Sequence, residues 1–221
     1  MKKSFILVAG MLILLPSITF SQEEKEMQYI LGGEDRPSIS GLIGPIVEFS
    51  GLEDDFAVCV GGGGAIIFNQ TFYIGGYGEG LTTGHYRYDL SDVTDMEEPK
   101  VSFGHGGLWL GYLLDSYKAF HFSTSLKIGF GEISLYDGDD YDWDPEDRKA
   151  KDQFFALIPQ VEVEVNVTKW FKLNAGAGYR YVTGIDKQYQ QGGTMHDYYE
   201  GSNYNSPIGT ISLLFGWFVE K

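Results

Sequence analysis

His121 and Ser123 stand two residues apart, so on an extended strand they share one face. An imidazole within reach of a hydroxyl is the start of nucleophilic hydrolysis. The pair follows the short spacer Leu114–Lys118, which places it at a tight-turn end and facing inward, where two polar interior residues are the better reading. A second candidate is the acidic run Asp137–Asp147 (DGDDYDWDPED). In it Asp140, Asp142 and Asp144 have the alternate spacing that arranges oxygen ligands around Ca²⁺. Pro145 occupies the place of the usual glycine, and no clear bidentate Glu lies twelve residues from the first Asp, so a solvated acidic loop is favoured. His85, His105 and His196 are isolated in sequence, and no Cys or His cluster makes a zinc site. Gly61–Gly64 precede neither a helix nor a Lys-Ser/Thr pair, which excludes a phosphate loop. The expectation is no catalytic set, no cofactor and no metal. The glycines mark a strand that bends or leaves room for a bulky neighbour.

The elements that hold these residues follow a rhythm from Ile39 to Phe218: half-apolar runs separated by alternately short and longer spacers. Asn69-Gln70, Leu114–Lys118 and Val167–Trp170 are the short ones; Gly51–Asp55, Thr82–Lys100, Glu132–Lys151 and Gly184–Asn205 are the others. Apolar and polar residues alternate with period two in four runs. Phe120, Phe122, Leu126, Ile128 and Phe130 oppose His121, Ser123, Ser125 and Lys127, and Val161, Val163 and Val165 oppose Glu162 and Glu164. Leu173, Ala175 and Ala177 oppose Lys172, Asn174 and Arg180, and Ile211, Leu213, Phe215 and Trp217 oppose Thr210 and Ser212. This is the pattern of half-buried strands. An all-β, eight-stranded antiparallel up-and-down transmembrane β-barrel is predicted over residues 39–218. Three irregularities are expected: a bulge across Gly104–Gly107, where the apolar parity reads as switching between Phe103 and Leu108, and bulges or strand ends at Pro45 and Pro159.

Alternation does not say which face is outside. A soluble lipocalin-like carrier is also eight-stranded but turns its apolar face inward. Here the polar face carries charges interleaved with Gly and Ser, which suits the narrow interior of an eight-stranded barrel. A plugged interior network of Glu48, Lys127, Glu162, Glu164, Lys172 and Arg180 is expected, with Glu164 nearly opposite Lys172. Two aromatic belts support lipid outside. Phe72, Tyr73, Tyr112, Phe120, Trp170, Phe171, Trp217 and Phe218 lie near the short turns or the C-terminus; Tyr86, Tyr88, Tyr136, Tyr181 and Tyr198 lie at the loop end.

Lys2-Lys3, the apolar Phe5–Leu15 and the run from Pro16 to Gln22 read as an export signal over residues 1–21, followed by a polar periplasmic lead-in over residues 22–38. Losing Lys2 and Lys3 takes the net charge from −15 to −17. So acidic a chain argues against nucleic acid as a partner. The single Cys59 forms no internal disulfide.

Ser40–Leu81 (SGLIGPIVEFSGLEDDFAVCVGGGGAIIFNQTFYIGGYGEGL) and Val161–Val182 (VEVEVNVTKWFKLNAGAGYRYV) resemble a group of uncharacterised small outer-membrane β-barrel proteins of Gram-negative bacteria. The resemblance implies a fold and a place, the outer membrane, with lipid and the barrel-assembly machinery as partners. Such barrels usually end on an aromatic; Ile211, Leu213, Phe215 and Trp217 match, and Val219–Lys221 extend beyond. The expected role is a non-enzymatic structural or surface-interaction protein working through its loops, with an extracellular ligand at the loops as a further expectation. The alternatives are a soluble carrier and a lipid-modifying hydrolase, since His121-Phe122-Ser123 is similar to the His-x-Ser spacing of outer-membrane lipid A deacylases.

Overall fold

The computed structural model describes residues 38–53, 55–138 and 148–218. The segments read as an export signal and lead-in, apart from Ser38, lie outside these residues, as do Asp140, Asp142 and Asp144 of the acidic run.

Eight long strands close into one barrel: β1 (Ile39–Leu52), β2 (Asp55–Phe68), β3 (Phe72–Leu81), β4 (Pro99–Leu114), β5 (Phe120–Asp137), β6 (Lys149–Asn166), β7 (Phe171–Thr183) and β10 (Ser206–Trp217). Each pairs antiparallel with its neighbours, and β10 closes on β1 with Gly41 opposite Trp217. Closure leaves no free edge among these strands, so the backbone's polar groups are spent within the ladder. A small hairpin in the last long connection, β8 (Gln188–Gln191) with β9 (Thr194–Asp197), was not legible in the sequence. The strands also run further than the spacers suggested: β5 reaches Asp137 and β6 begins at Lys149, inside the span read as the loop Glu132–Lys151.

Period-two alternation sets the two faces. Phe122, Phe130, Val161, Val163 and Leu213 are exposed on the outside, whereas Ser123, Lys127, Glu162 and Lys172 are buried inside. A soluble carrier would show the reverse, so the described barrel is not built as one.

Three local expectations are corrected. β4 carries no bulge at Gly104–Gly107: its pairing with β3 and with β5 runs in one register. The apparent parity switch arises because Val101 and Phe103 are apolar residues that face inward, while Leu108 faces out. The register shift lies instead in β5 opposite β6, between Ile133 and Leu135, close to Ala150 at φ 51°. Pro45 and Pro159 neither end a strand nor shift the register. Pro45 pairs with Gly62 and Pro159 with Leu126, and on the other side the ladder resumes in phase, Ile43 with Phe215 then Ile46 with Ser212, and Leu157 with Tyr181 then Gln160 with Gly178. Each proline's missing donor is therefore a local gap in a continuous strand.

Candidate functional site

The interior is layered. At the loop end an apolar plug packs Leu52, Leu90, Val101, Phe103, Ile133 and Phe154 with Tyr199 and Tyr204 from the last long connection. Phe103 stacks on Phe154 with ring centroids 4.7 Å apart. At the turn end a second apolar group, Leu42, Ile46, Ile67, Tyr73, Trp109 and Leu214 among them, fills the side lined by β1–β4 and β10. Two glycines make this filling possible. A Cβ on Gly111 would run into the Tyr73 ring, and one on Gly63 would come within 3.1 Å of the Trp109 ring. That explains part of the glycine-rich sequence: bulky interior neighbours need the room.

The polar cluster at the turn end belongs to β5, β6 and β7. The ladder sets His121 opposite Glu164 and Ser123 opposite Glu162. Ser123 Oγ donates to Glu162 at 2.9 Å and Ser125 Oγ donates to the same carboxylate at 2.7 Å, joined by Asn174 Nδ2 at 3.2 Å. His121 Nε2 faces Glu164 at 3.1 Å and its Nδ1 faces the Lys118 carbonyl at 3.1 Å. Lys172 Nζ reaches Glu164 at 3.3 Å, although the residue directly opposite Glu164 is Asn174, so the ion pair is a diagonal one.

The sequence placed His121 and Ser123 on one face, and the structure keeps them there, but it gives them no bond to each other. Ser123's hydroxyl is committed to carboxylates, and both residues are buried. A general base must reach the proton it removes. This pair sits with its polar atoms turned toward Glu162 and Glu164.

Above this cluster and beneath the loop-end plug lies the third group. Arg180 is fully buried; it donates to Glu48 at 2.7 Å, to Ser50 Oγ at 3.1 Å and to the backbone carbonyls of Gly51 and Tyr204 at 3.0 and 3.1 Å. Lys127 Nζ pairs with Glu79 and lies 5.0 Å from the Tyr77 ring centre. His105 Nδ1 meets the Tyr77 hydroxyl at 3.2 Å. Thus Glu48, Lys127, Glu162, Glu164, Lys172 and Arg180 all lie buried in the interior. Glu79 and His105 join them and were missed. The parity of Tyr73, Tyr77 and Glu79 on one strand was the available signal.

Outside, the aromatics separate toward the two ends. Phe72, Tyr112, Phe120, Trp170 and Trp217 are exposed near the turns, and Tyr86, Tyr88 and Tyr181 near the loops. Tyr73 leaves the expected belt because its parity turns it inward, and Phe218 is only half exposed, packed against the turn-end apolar group with Lys172 Nζ 4.4 Å from its ring centre.

The loops form a tied cap. Arg87 donates to Glu53 at 2.7 Å, to Asp89 and to the Tyr198 carbonyl at 3.0 Å, and Tyr204 OH donates to Glu53 at 2.6 Å. Asp152 accepts from the backbone N–H of Asp186 and Lys187, both at 2.8 Å. The hydrogen bond from Arg87 holds the Asp89 carboxyl below its ordinary range, and burial holds the His85 imidazole down and pushes the Tyr204 phenol up. A cavity of about 500 Å³ opens at this end between Thr82, Met96, Lys100, Phe103, Tyr136 and Lys149.

No protein-family model matches this chain, and no curated protein matches it in sequence. Solved structures share its shape. Neisserial surface protein A (NspA) superposes with a TM-score of 0.51 at 11% identity, covering 83% of this chain and 99% of that one. A major outer membrane protein from Thermus thermophilus gives 0.49 at 9% identity over 81% and 100%, and Ail of Yersinia pestis 0.45 at 12% over 81% and 96%. At 11% identity the likeness to NspA is one of fold alone.

Proposed function

We propose that this chain is a non-enzymatic outer-membrane barrel whose tied loop cap is an interaction surface outside the cell. The observation that carries the reading is the distribution of side chains across a closed wall. Large apolar residues such as Ile43, Phe122, Phe130, Val161 and Trp217 stand exposed outward, while carboxylates, ammonium and guanidinium groups are sealed within. In water that arrangement exposes far more apolar surface than a soluble monomer keeps. In a bilayer it puts hydrocarbon against hydrocarbon, and the closed ladder pairs the backbone apart from the local gaps at Pro45 and Pro159.

The interior supports a structural role rather than conduction, since an apolar plug fills the loop end and, at the turn end, apolar side chains and the paired polar cluster share the cross-section. The cap supports recognition. Tyr86, Tyr88, Met195 and the carboxylate of Asp89 are presented outward on loops fixed by Arg87 and Asp152. Rigid loops rich in tyrosine bind with little ordering cost. A lipid-modifying activity is disfavoured because His121 and Ser123 are engaged with Glu164 and Glu162 inside the wall.

Cell fractionation with heat-modifiable gel migration tests membrane residence and closure together. The proposal expects release only by detergent and faster migration before boiling. Recovery in the soluble fraction overturns it. Lipid A from a strain carrying Ser123→Ala tests the non-enzymatic part: an altered acylation pattern would make the protein a hydrolase.

A further inference from the structure

We infer that Glu48, Glu79 and His105 form a site for one divalent transition-metal ion, sealed in the interior between the apolar layers. Each residue comes from a different strand, and one donor atom of each lies within 4.8 Å of the others. All three side chains are nine-tenths or more buried. Glu48 Oε2, Glu79 Oε2 and His105 Nε2 have no hydrogen-bond partner among the described residues. Buried polar atoms without partners are rare in native proteins and ask for an unseen occupant.

The second halves of these side chains are all held. Arg180 fixes the other oxygen of Glu48 at 2.7 Å, Lys127 fixes the other oxygen of Glu79, and the Tyr77 hydroxyl lies 3.2 Å from the other nitrogen of His105. This is how outer partners orient metal ligands, leaving one atom of each free to coordinate. In the tautomer whose Nδ1–H donates to Tyr77, Nε2 presents a lone pair and, with the two unpartnered carboxylate oxygens, makes three acceptors. A water brings two hydrogens to three acceptors; a cation satisfies all of them. Ligands about 2.0–2.2 Å from a shared tetrahedral zinc stand roughly 3.3–3.6 Å apart, so a contraction of at most about 1.5 Å closes the set. One imidazole with two carboxylates suits zinc or a neighbouring first-row ion rather than Ca²⁺ or Mg²⁺. The rings of Phe103 and Phe154, centred 5.8 and 6.4 Å from that of His105, wall the site with carbon.

Charge opposes the ion and points to the control. Arg180 and Lys127 already balance the two carboxylates, so the ion competes with the Lys127 ammonium for Glu79. Removing that ammonium should strengthen binding.

The test refolds the full chain into detergent from chelator-treated urea with one equivalent of Zn²⁺, removes loose metal by desalting, and measures zinc by atomic emission. Heat-modifiable migration reports closure of each sample. About one zinc per folded chain is expected. His105→Gln should abolish retention, Tyr77→Phe should weaken affinity about 10- to 100-fold, and Lys127→Met should raise it. If the wild type retains no zinc, a bridging water or a proton shared by the carboxylates fills the space and the proposal fails. Equal retention by His105→Gln places the metal elsewhere and also overturns it. Where His105→Gln does not close, Tyr77→Phe and Lys127→Met decide, and affinities unchanged from wild type refute the site.

Discussion

The guanidinium of Arg180 and the carboxylate of Glu48 meet at 2.7 Å with both side chains shut off from solvent. They join β7 to β1 across the interior rather than through the ladder, because β10 lies between those strands. Arg180 also satisfies Ser50 and the carbonyls of Gly51 and Tyr204, so it binds the wall to the loop cap. Breaking a buried pair from one side leaves an uncompensated charge, at a cost of about 3–5 kcal/mol. Arg180→Met is expected to lose that much in urea unfolding of the detergent-refolded barrel. The double variant Arg180→Met with Glu48→Leu should recover part of it. A double variant no better than the single would show that the loop carbonyls, rather than Glu48, dominate the loss.

Gly111 and Tyr73 form a second coupled pair. The Tyr73 ring lies where a Gly111 side chain would be, and it packs edge-on against Trp109 with centroids 5.3 Å apart. Gly111→Ala is expected to destabilise the barrel by about 1–3 kcal/mol through overpacking. Adding Tyr73→Leu should return much of that loss, because the two side chains compete for one volume. Urea midpoints of the four proteins measure the coupling. Additive effects would mean that the ring simply moves aside.

Much of the wall was legible because a barrel with one apolar face imposes strict period two. Phe122 and Val163 against Lys127 and Glu162 could be sorted onto two faces from spacing alone, and the charges on one of those faces told which is inside. The same rule misled where the interior itself turns apolar. Phe103, Tyr73 and Phe218 have the chemistry of an outer face, but parity or packing turns them toward the plugs. The grouping of Glu48, Glu79 and His105 was hidden for a different reason: they lie on three strands, where the register pairs Glu79 with His105 and closure of the barrel brings Glu48 near them. The loop cap was least legible, since Arg87, Glu53 and Tyr198 are joined by contacts that follow no periodicity.

Ile128 sits in the middle of β5 on the outward face, across from Leu108 on β4 and Leu157 on β6. If that face meets acyl chains, Ile128→Arg should cost about 2–4 kcal/mol, as a charge near the bilayer midplane does. The same change at Trp170, beside a turn, should cost about 0–1 kcal/mol. Folding titrations into lipid vesicles give both numbers. Equal, small costs would contradict a membrane-facing wall, because arginine is harmless on a water-facing one.

Acid should loosen the loop cap before it affects the wall. His85 is buried, has no ring partner among the described residues, and has its imidazole held below the ordinary value by burial; Asp55 and Glu53 pull the other way and Lys100 adds to the lowering. The closed cap therefore keeps the ring neutral, whereas the opened cap protonates it near pH 6.5. Above that pH the stabilisation is fully present. Below it only the open form gains the proton, so protection falls with pH until the closed form titrates as well. Asp89, held low by Arg87, adds a second loss in the same direction, starting below its ordinary 3.8. The Arg87 and Val101 amides report the cap, since they donate to the carbonyls of Pro99 at 2.7 Å and His85 at 2.8 Å. Hydrogen-exchange protection of those amides, corrected for intrinsic rates, should fall from about pH 7.5 to about pH 5.5, while amides of central β5 stay unchanged. His85→Phe should flatten the dependence. Constant protection in the wild type would mean that the ring meets solvent or a proton donor when the cap is closed.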